Sequence, residues 1–156
     1  SAQAIYTFSK FPDQKAKLIE DVPGRIDTAV EEVLRWASPL LHMRRTATRD
    51  VTVRDAEIKA GDKVVLWYYS GNRDEDVFEN PHTFDIMRNP NPHIAFGGGG
   101  PHFCLGAALG RTMLRTLLTE VYSRIPDISA PEPNFQLANF INGINSLPAT
   151  WTPEKR

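Results

Sequence analysis

The segment NPNPHIAFGGGGPHFCLGAALGR, residues 89–111, is the most informative stretch of the sequence. Its four consecutive glycines, Gly97 to Gly100, let the backbone approach a large flat ligand closely, because no side chain stands in the way. Cys104 follows them, and the apolar pattern after it predicts a long helix from Cys104 to about Ser123. A helix N-terminus supplies free N–H groups and a positive dipole, which favour a thiolate over a thiol. The segment therefore predicts a cysteine with a chemical role.

Three other interpretations are compatible with parts of this segment. A lone cysteine is most often a small buried side chain. A glycine run before a helix can bind phosphate, although Pro101-His102 stands where a P-loop has Lys-Ser or Lys-Thr. A cysteine protease needs a partner histidine, and the four histidines of the chain leave that open.

Composition limits the class of protein. The chain has 156 residues, a net charge of -1 and 41% hydrophobic residues, which is typical of one globular domain. The near-neutral charge argues against a nucleic-acid partner. The sequence has neither an apolar run long enough to span a membrane nor a signal peptide, so we expect no membrane span and a cytoplasmic location. One cysteine excludes an internal disulfide framework.

The periodicity predicts a mainly α fold with a small β-sheet, which is the α+β class. In the third helix, Thr28 and Glu31 fit a capping box. The N-terminal part is predicted to contain a helix up to Phe11, a helix from Pro12, a turn at Pro23-Gly24 and a helix from Asp27 or Thr28 to Ser38-Pro39. Short strands from Val51, a buried strand at 64–68 and an irregular stretch at 72–101 are predicted to follow. The cysteine helix and a hairpin over 135–147, which turns near Asn142-Gly143, complete the predicted elements.

The cysteine segment resembles the haem-binding loop of the cytochrome P450 family, the haem-thiolate monooxygenases. The resemblance rests on Phe96, the glycine run, His102 and Cys104. Residues 32–35 are similar to the E-x-x-R motif of that family, which alone would also describe an ordinary surface ion pair. Segments 45–50, 72–74 and 78–85 match further family motifs in the same order, so the resemblance covers essentially the whole chain.

The resemblance implies haem b as the cofactor and Cys104 as its axial thiolate ligand. The N–H groups of Leu105 and Gly106 would bond the sulfur, and Phe96 would pack beside it. Further implied cofactor contacts are Gly97 and Gly98 of the loop, and Arg45 and His102 at the propionates. For Arg45, a solvated surface arginine is the alternative.

Other residues are assigned structural or substrate roles by the same resemblance. Glu32 and Arg35 would anchor the irregular stretch beneath the haem. The predicted substrate contacts, for which ordinary core packing is the alternative, are Leu40, Leu41, Phe140 and Ile141. Arg111 and Arg115 would face a small acidic electron donor. For Arg115, a position on a solvated helix face is favoured over this docking role.

The implied activity of the intact enzyme is hydroxylation of an apolar, lipid or sterol-like substrate. It would use O₂ and electrons from NAD(P)H through ferredoxin reductase and ferredoxin. Family members are more than twice as long, so residues 1–156 are expected to be the C-terminal haem-binding portion of a single larger domain, truncated before the oxygen-activating helix. No catalytic residue is therefore assigned within the chain, and a haem-binding module without turnover is the alternative.

The sequence departs from the family pattern at two positions, and each departure leads to a further prediction. Phe96 lies one position earlier than usual, as in actinobacterial members that act on sterols and methyl-branched lipids. Thr83 stands where many members have an arginine that pairs with the E-x-x-R residues. Arg88 and His93 are the candidates to replace that arginine.

Overall fold

A computed structural model of the chain describes residues 1–153. It contains five helices and six strands within those residues. They are α1 Ala2–Lys10, α2 Pro12–Glu20, α3 Val22–Ala37, β1 His42–Thr46, β2 Val51–Val53, β3 Ala56–Ile58, β4 Lys63–Trp67, α4 Tyr68–Gly71, α5 Ala107–Arg124, β5 Asn134–Phe135 and β6 Ile144–Ser146. The predicted α+β class is confirmed.

The core lies among the apolar faces of α1, α2, α3 and α5. Phe8 and Leu118 are fully buried, and the ring of Phe8 packs edge-on against Tyr122 at 5.2 Å between centroids. The irregular stretch between α4 and α5 contributes Phe84, whose ring lies 5.5 Å from that of Phe8. This long stretch is therefore packed into the core although it has no regular secondary structure.

The start of the third helix differs from the prediction. The α3 helix begins at Val22, because the Asp21 carboxylate accepts a hydrogen bond of 3.0 Å from the N–H of Gly24 and Pro23 fits the first helical turn without a lost bond. The predicted turn at Pro23-Gly24 and the capping box at Thr28 are both wrong. The predicted end at Ser38-Pro39 is confirmed by the left-handed conformation of Ser38, whose φ is 40°.

The β-structure consists of three separate antiparallel pairs, β1–β4, β2–β3 and β5–β6. Arg45 lies opposite Val64, and His42 lies opposite Trp67. The strand predicted at 64–68 is confirmed as β4, but its predicted burial is wrong, since Trp67 is 56% exposed. The β1–β4 pair has only two strands and packs on the short α4 helix, so among residues 1–153 too few side chains pack over it to bury it. The pair β5–β6 confirms the final hairpin.

Candidate functional site

Cys104 lies in a turn ahead of α5 and does not open the helix as predicted. The helix begins at Ala107, with Gly106 as its N-cap. The carbonyl of Cys104 accepts a hydrogen bond of 3.1 Å from the N–H of Ala107, which closes a tight turn before the first helical residue. The thiol is exposed and unpaired, so it is accessible to a ligand.

The glycine run folds the chain back so that Phe96 and Cys104 become neighbours. The N–H of Cys104 donates to the carbonyl of Phe96 at 3.0 Å. Between them Gly97, Gly99 and Gly100 have φ values of +95°, +96° and +80°, a region that side-chain-bearing residues rarely adopt. The glycines are therefore needed for the path of the loop itself.

The surroundings of Cys104 fit an iron porphyrin. Among the described residues, the N–H groups of Leu105 and Gly106 donate to no other group, which leaves them available to a thiolate. Three apolar side chains near the thiol in sequence are exposed, as are the two residues predicted to bind the propionates. They are Phe103, Leu105, Leu109, Arg45 and His102. A thiolate binds iron, apolar side chains pack against the macrocycle, and side-chain N–H donors form charge-assisted hydrogen bonds with carboxylates.

A metal held by protein side chains alone fits this chain less well. Over residues 1–153 no three His, Cys, Asp or Glu side chains come together as a metal-ion site. A single thiolate ligand is what an iron already held by a macrocycle requires.

Glu32 and Arg35 form a fully buried ion pair on α3. The Nε and Nη2 atoms of Arg35 donate to the two carboxylate oxygens of Glu32, each at 2.8 Å. Arg35 also donates to three backbone carbonyls of the irregular stretch, those of Asn72 at 2.8 Å, Pro81 at 2.9 Å and Thr83 at 3.0 Å. These bonds tie α3 to the segment that leads to the cysteine loop.

Arg88 supplies the second cation at this pair. Its Nε lies 3.2 Å from Oε2 of Glu32, and its Nη2 donates to the Thr83 carbonyl at 3.2 Å. Thr83 itself contributes only that carbonyl. His93, the other candidate, contacts Glu31 instead.

Glu31 is the centre of a second network that sequence reasoning missed. Arg111 on α5 donates to its carboxylate from Nε at 2.7 Å and Nη2 at 2.9 Å, and Nε2 of His93 lies 2.9 Å from Oε2. Partial burial raises the pKa of Glu31, but the bonds from His93 and Arg111 outweigh it and lower the pKa to about 2. No local signal could reveal a network whose members are 62 and 80 positions apart.

The two arginines predicted at a donor-docking surface are both engaged within the chain. Arg111 pairs with Glu31 as described, and Nε of Arg115 lies 2.6 Å from Oδ1 of Asp27. Their charges are largely compensated by α3. A docking role for either therefore stays a prediction.

The ionisation of Glu31 makes the stability of the chain depend on pH. Because the folded pKa lies below the usual value of 4.5, its stabilisation is fully present above that value and is lost as the pH falls toward 2. We expect Glu31→Gln to cost roughly 1 kcal/mol near neutral pH, a value discounted for partial solvent exposure. Urea unfolding of both proteins should show this difference shrinking below the usual pKa. A pH-independent difference would contradict the prediction.

The four predicted substrate residues come together at one place. Leu40 forms an isolated antiparallel bridge with Ile141, and the N–H of Leu41 donates to the carbonyl of Phe140 at 2.9 Å. Phe140 and Ile141 are 39% and 44% exposed. The tip of the final hairpin thus lies against the segment that follows α3 and leaves an apolar surface accessible.

Asn142 fastens this hairpin tip to the helices. Its Nδ2 donates to the carbonyl of Ala37 at 2.7 Å, and its own carbonyl accepts from Nε2 of Gln3 at 3.1 Å. The tip is therefore held at the C-terminal end of α3 and the start of α1.

Replacing Asn142 with alanine should loosen the hairpin tip. The carbonyl of Ala37 loses its side-chain donor, so we expect a loss of about 1–2 kcal/mol in the free energy of unfolding, measured in urea. Asn145→Ala is the matched control, because Asn145 makes only contacts of 3.4 Å at an exposed position. Equal losses in both variants would show that the Asn142 bonds have no special role.

Comparison with known proteins gives a consistent result. The family model described as Cytochrome P450 matches residues 25–124. The chain therefore belongs to the cytochrome P450 family. None of the helices over residues 1–153 has the length and apolar character needed to cross a membrane.

The similar relatives are bacterial hydroxylases and monooxygenases. A methyl-branched lipid omega-hydroxylase of Mycobacterium bovis is 50% identical over 149 residues, which is 95% of this chain and 35% of the relative. A steroid C26-monooxygenase of the same organism is 42% identical, over 96% of this chain and 34% of the relative. The chain thus spans about a third of the length of the curated relatives that it matches.

A solved structure shows the same fold. A cytochrome P450 of Mycobacterium marinum, in complex with pseudoionone, superposes with a TM-score of 0.92 at 48% sequence identity. The match covers 95% of this chain and 36% of that structure. The fold is therefore part of the cytochrome P450 fold, as predicted.

Proposed function

We propose that this chain supplies the thiolate-ligating, haem-binding part of a monooxygenase that hydroxylates an apolar lipid or sterol-like substrate. The observation that carries the proposal is the exposed, unpaired thiol of Cys104, fixed by the bond to the Phe96 carbonyl and followed by two N–H groups without partners among residues 1–153. An accessible single thiol also supports a reducing, cytoplasmic location.

The residues of the chain have distinct roles in this proposal. Haem b, when bound, supplies the oxygen chemistry that protein side chains cannot perform. Cys104 would bind the iron, and the N–H groups of Leu105 and Gly106 would donate to its sulfur and tune the electron density on that atom. Arg45 and His102 bind the two propionates by charge-assisted hydrogen bonds.

Phe96, Gly97 and Gly98 form the wall of the haem site on the loop side. The carbonyl of Phe96 accepts a hydrogen bond from the Cys104 N–H, and its ring would exclude water from the sulfur. The two glycines leave the macrocycle room to approach the backbone, since a Cβ on Gly98 would meet nothing within 4 Å and one on Gly97 would meet only loose contacts. Glu32 and Arg35 hold the irregular stretch beneath this wall.

The apolar surface at the hairpin tip is the proposed substrate contact. The backbones of Leu40 and Leu41 lie against those of Ile141 and Phe140, and the side chains of Phe140 and Ile141 are exposed there. The names of the two relatives, which act on a methyl-branched lipid and a steroid, support a substrate with an extended hydrocarbon part. We further propose that electrons come from NAD(P)H through ferredoxin reductase and ferredoxin.

A carbon monoxide difference spectrum of the reduced, haem-loaded protein tests the ligand. Thiolate ligation gives a strongly red-shifted Soret band, whereas a band typical of a histidine or neutral ligand would overturn the proposal. Turnover is then tested with a methyl-branched fatty acid or a sterol, NADPH, ferredoxin reductase and ferredoxin. A hydroxylated product detected by mass spectrometry supports the monooxygenase. The thiolate band without product would favour a haem-binding module without turnover.

A further inference from the structure

A cationic side chain lies against the ring of Phe96. The guanidinium carbon of Arg111 lies 4.7 Å from the centroid of the ring, a distance at which the ring and the charge attract one another. The ring also lies close to α5, since a Cβ on Gly110 would stand 3.5 Å from its Cζ atom. On another side, the centroid of the His93 ring lies 6.2 Å away. Arg111 and His93 therefore flank the residue whose carbonyl holds Cys104.

One carboxylate on α3 fixes both flanking side chains. Glu31 accepts two hydrogen bonds from Arg111, so the guanidinium plane is held in one orientation. Nδ1 of His93 accepts from the N–H of Ala95 at 3.2 Å, so the ring proton lies on Nε2 and is donated to Glu31. The position of the Phe96 ring is thus determined by groups on α3, on α5 and in the loop itself.

We propose that Glu31 is a positioning residue for the cysteine loop. Through Arg111 and His93 it fixes Phe96, and through the Phe96 carbonyl it fixes the backbone of Cys104 and the direction of the sulfur. The inference rests on the proposed role of Cys104 as haem ligand. Groups that orient a metal ligand are typically worth a factor of about 10–100 in metal affinity.

A matched pair on the same two helices separates this effect from helix packing in general. Asp27 and Arg115 also join α3 to α5, one helical turn away, with 2.6 Å between Oδ1 and Nε. Their side chains are 70% and 48% exposed. Among residues 1–153, the cation on the Phe96 ring comes from Arg111 and not from this second pair.

The test compares Glu31→Gln with Asp27→Asn in the haem-loaded holoprotein. Each variant removes one negative charge from α3 and keeps the shape of the side chain. Three quantities are measured: the haem dissociation constant, the reduction potential, and the exchange rate of the Cys104 amide that is bonded to Phe96. We expect Glu31→Gln to weaken haem binding roughly tenfold, to shift the potential and to speed amide exchange, while Asp27→Asn leaves all three unchanged.

Arg111→Lys is the second variant, for the case that Glu31→Gln does not fold. Lysine keeps the charge but cannot form two parallel bonds to Glu31 or lie flat on the ring, so the same three quantities should move in the same direction by less. Wild-type values in the Glu31 variant, or equal changes in the Asp27 variant, would overturn the inference alone. A wild-type protein without the red-shifted Soret band would overturn the Proposed function as well.

Discussion

Arg35→Ala is expected to cost about 3–5 kcal/mol in the free energy of unfolding, the range for breaking a buried ion pair. The Glu32 carboxylate is fully buried and would lose two hydrogen bonds of 2.8 Å. The carbonyls of Asn72 and Pro81 would lose their donor as well. A loss of this size is a large fraction of the roughly 5–15 kcal/mol by which domains are stable. Urea unfolding, followed by tryptophan fluorescence, measures it.

Two controls make this prediction specific. Arg54→Ala removes an ion pair to Asp76 whose side chains are 76% and 69% exposed, so it should change stability by less than about 1 kcal/mol. The double variant Arg35→Ala with Glu32→Ala should be less destabilised than the sum of the single variants, because the buried Glu32 carboxylate is removed together with Arg35, and Arg88 loses only its contact of 3.2 Å with that carboxylate. A loss in Arg35→Ala no larger than that in Arg54→Ala would contradict the structural role.

Short-range sequence patterns predicted most helices and strands correctly. They failed at the starts of α3 and α5, where the N-terminal end of the helix was misassigned. The end of α3 at Ser38 and the final hairpin were predictable from local residues. The start was not, because Asp21, Pro23 and Gly24 form a first helical turn as readily as a loop. The prediction that Cys104 begins α5 failed for a similar reason, since apolar spacing cannot distinguish a helix from the turn that precedes it.

Residue type and order predicted the family, but not the charge network around Glu31. The motifs around Glu32, Arg35 and Cys104 were sufficient to identify the family. The contacts of Glu31 could not be predicted, because its partners are distant in sequence and each has an ordinary local explanation. The exposure of Trp67 was also missed, since burial depends on what packs over a strand and not only on its apolar residues.

Cys104→Ser is expected to abolish the red-shifted Soret band of the reduced carbon monoxide complex. A serine hydroxyl stays protonated near neutral pH and cannot supply the soft anionic sulfur that produces this band. The fold should survive, because the thiol is exposed and serine keeps the N–H that donates to the Phe96 carbonyl. We therefore expect a change in stability within about 0.5 kcal/mol, as for other exposed positions.

Cys104→His provides the matched control for the same position. Imidazole binds haem iron as a neutral ligand, so this variant should retain haem and give a band typical of histidine ligation. Retained haem with a changed band in Cys104→His, together with loss of the thiolate band in Cys104→Ser, identifies the sulfur as the ligand and shows that the loop still folds. The wild-type band in either variant would mean that no thiolate of this chain produces it, because Cys104 is the one cysteine of the sequence.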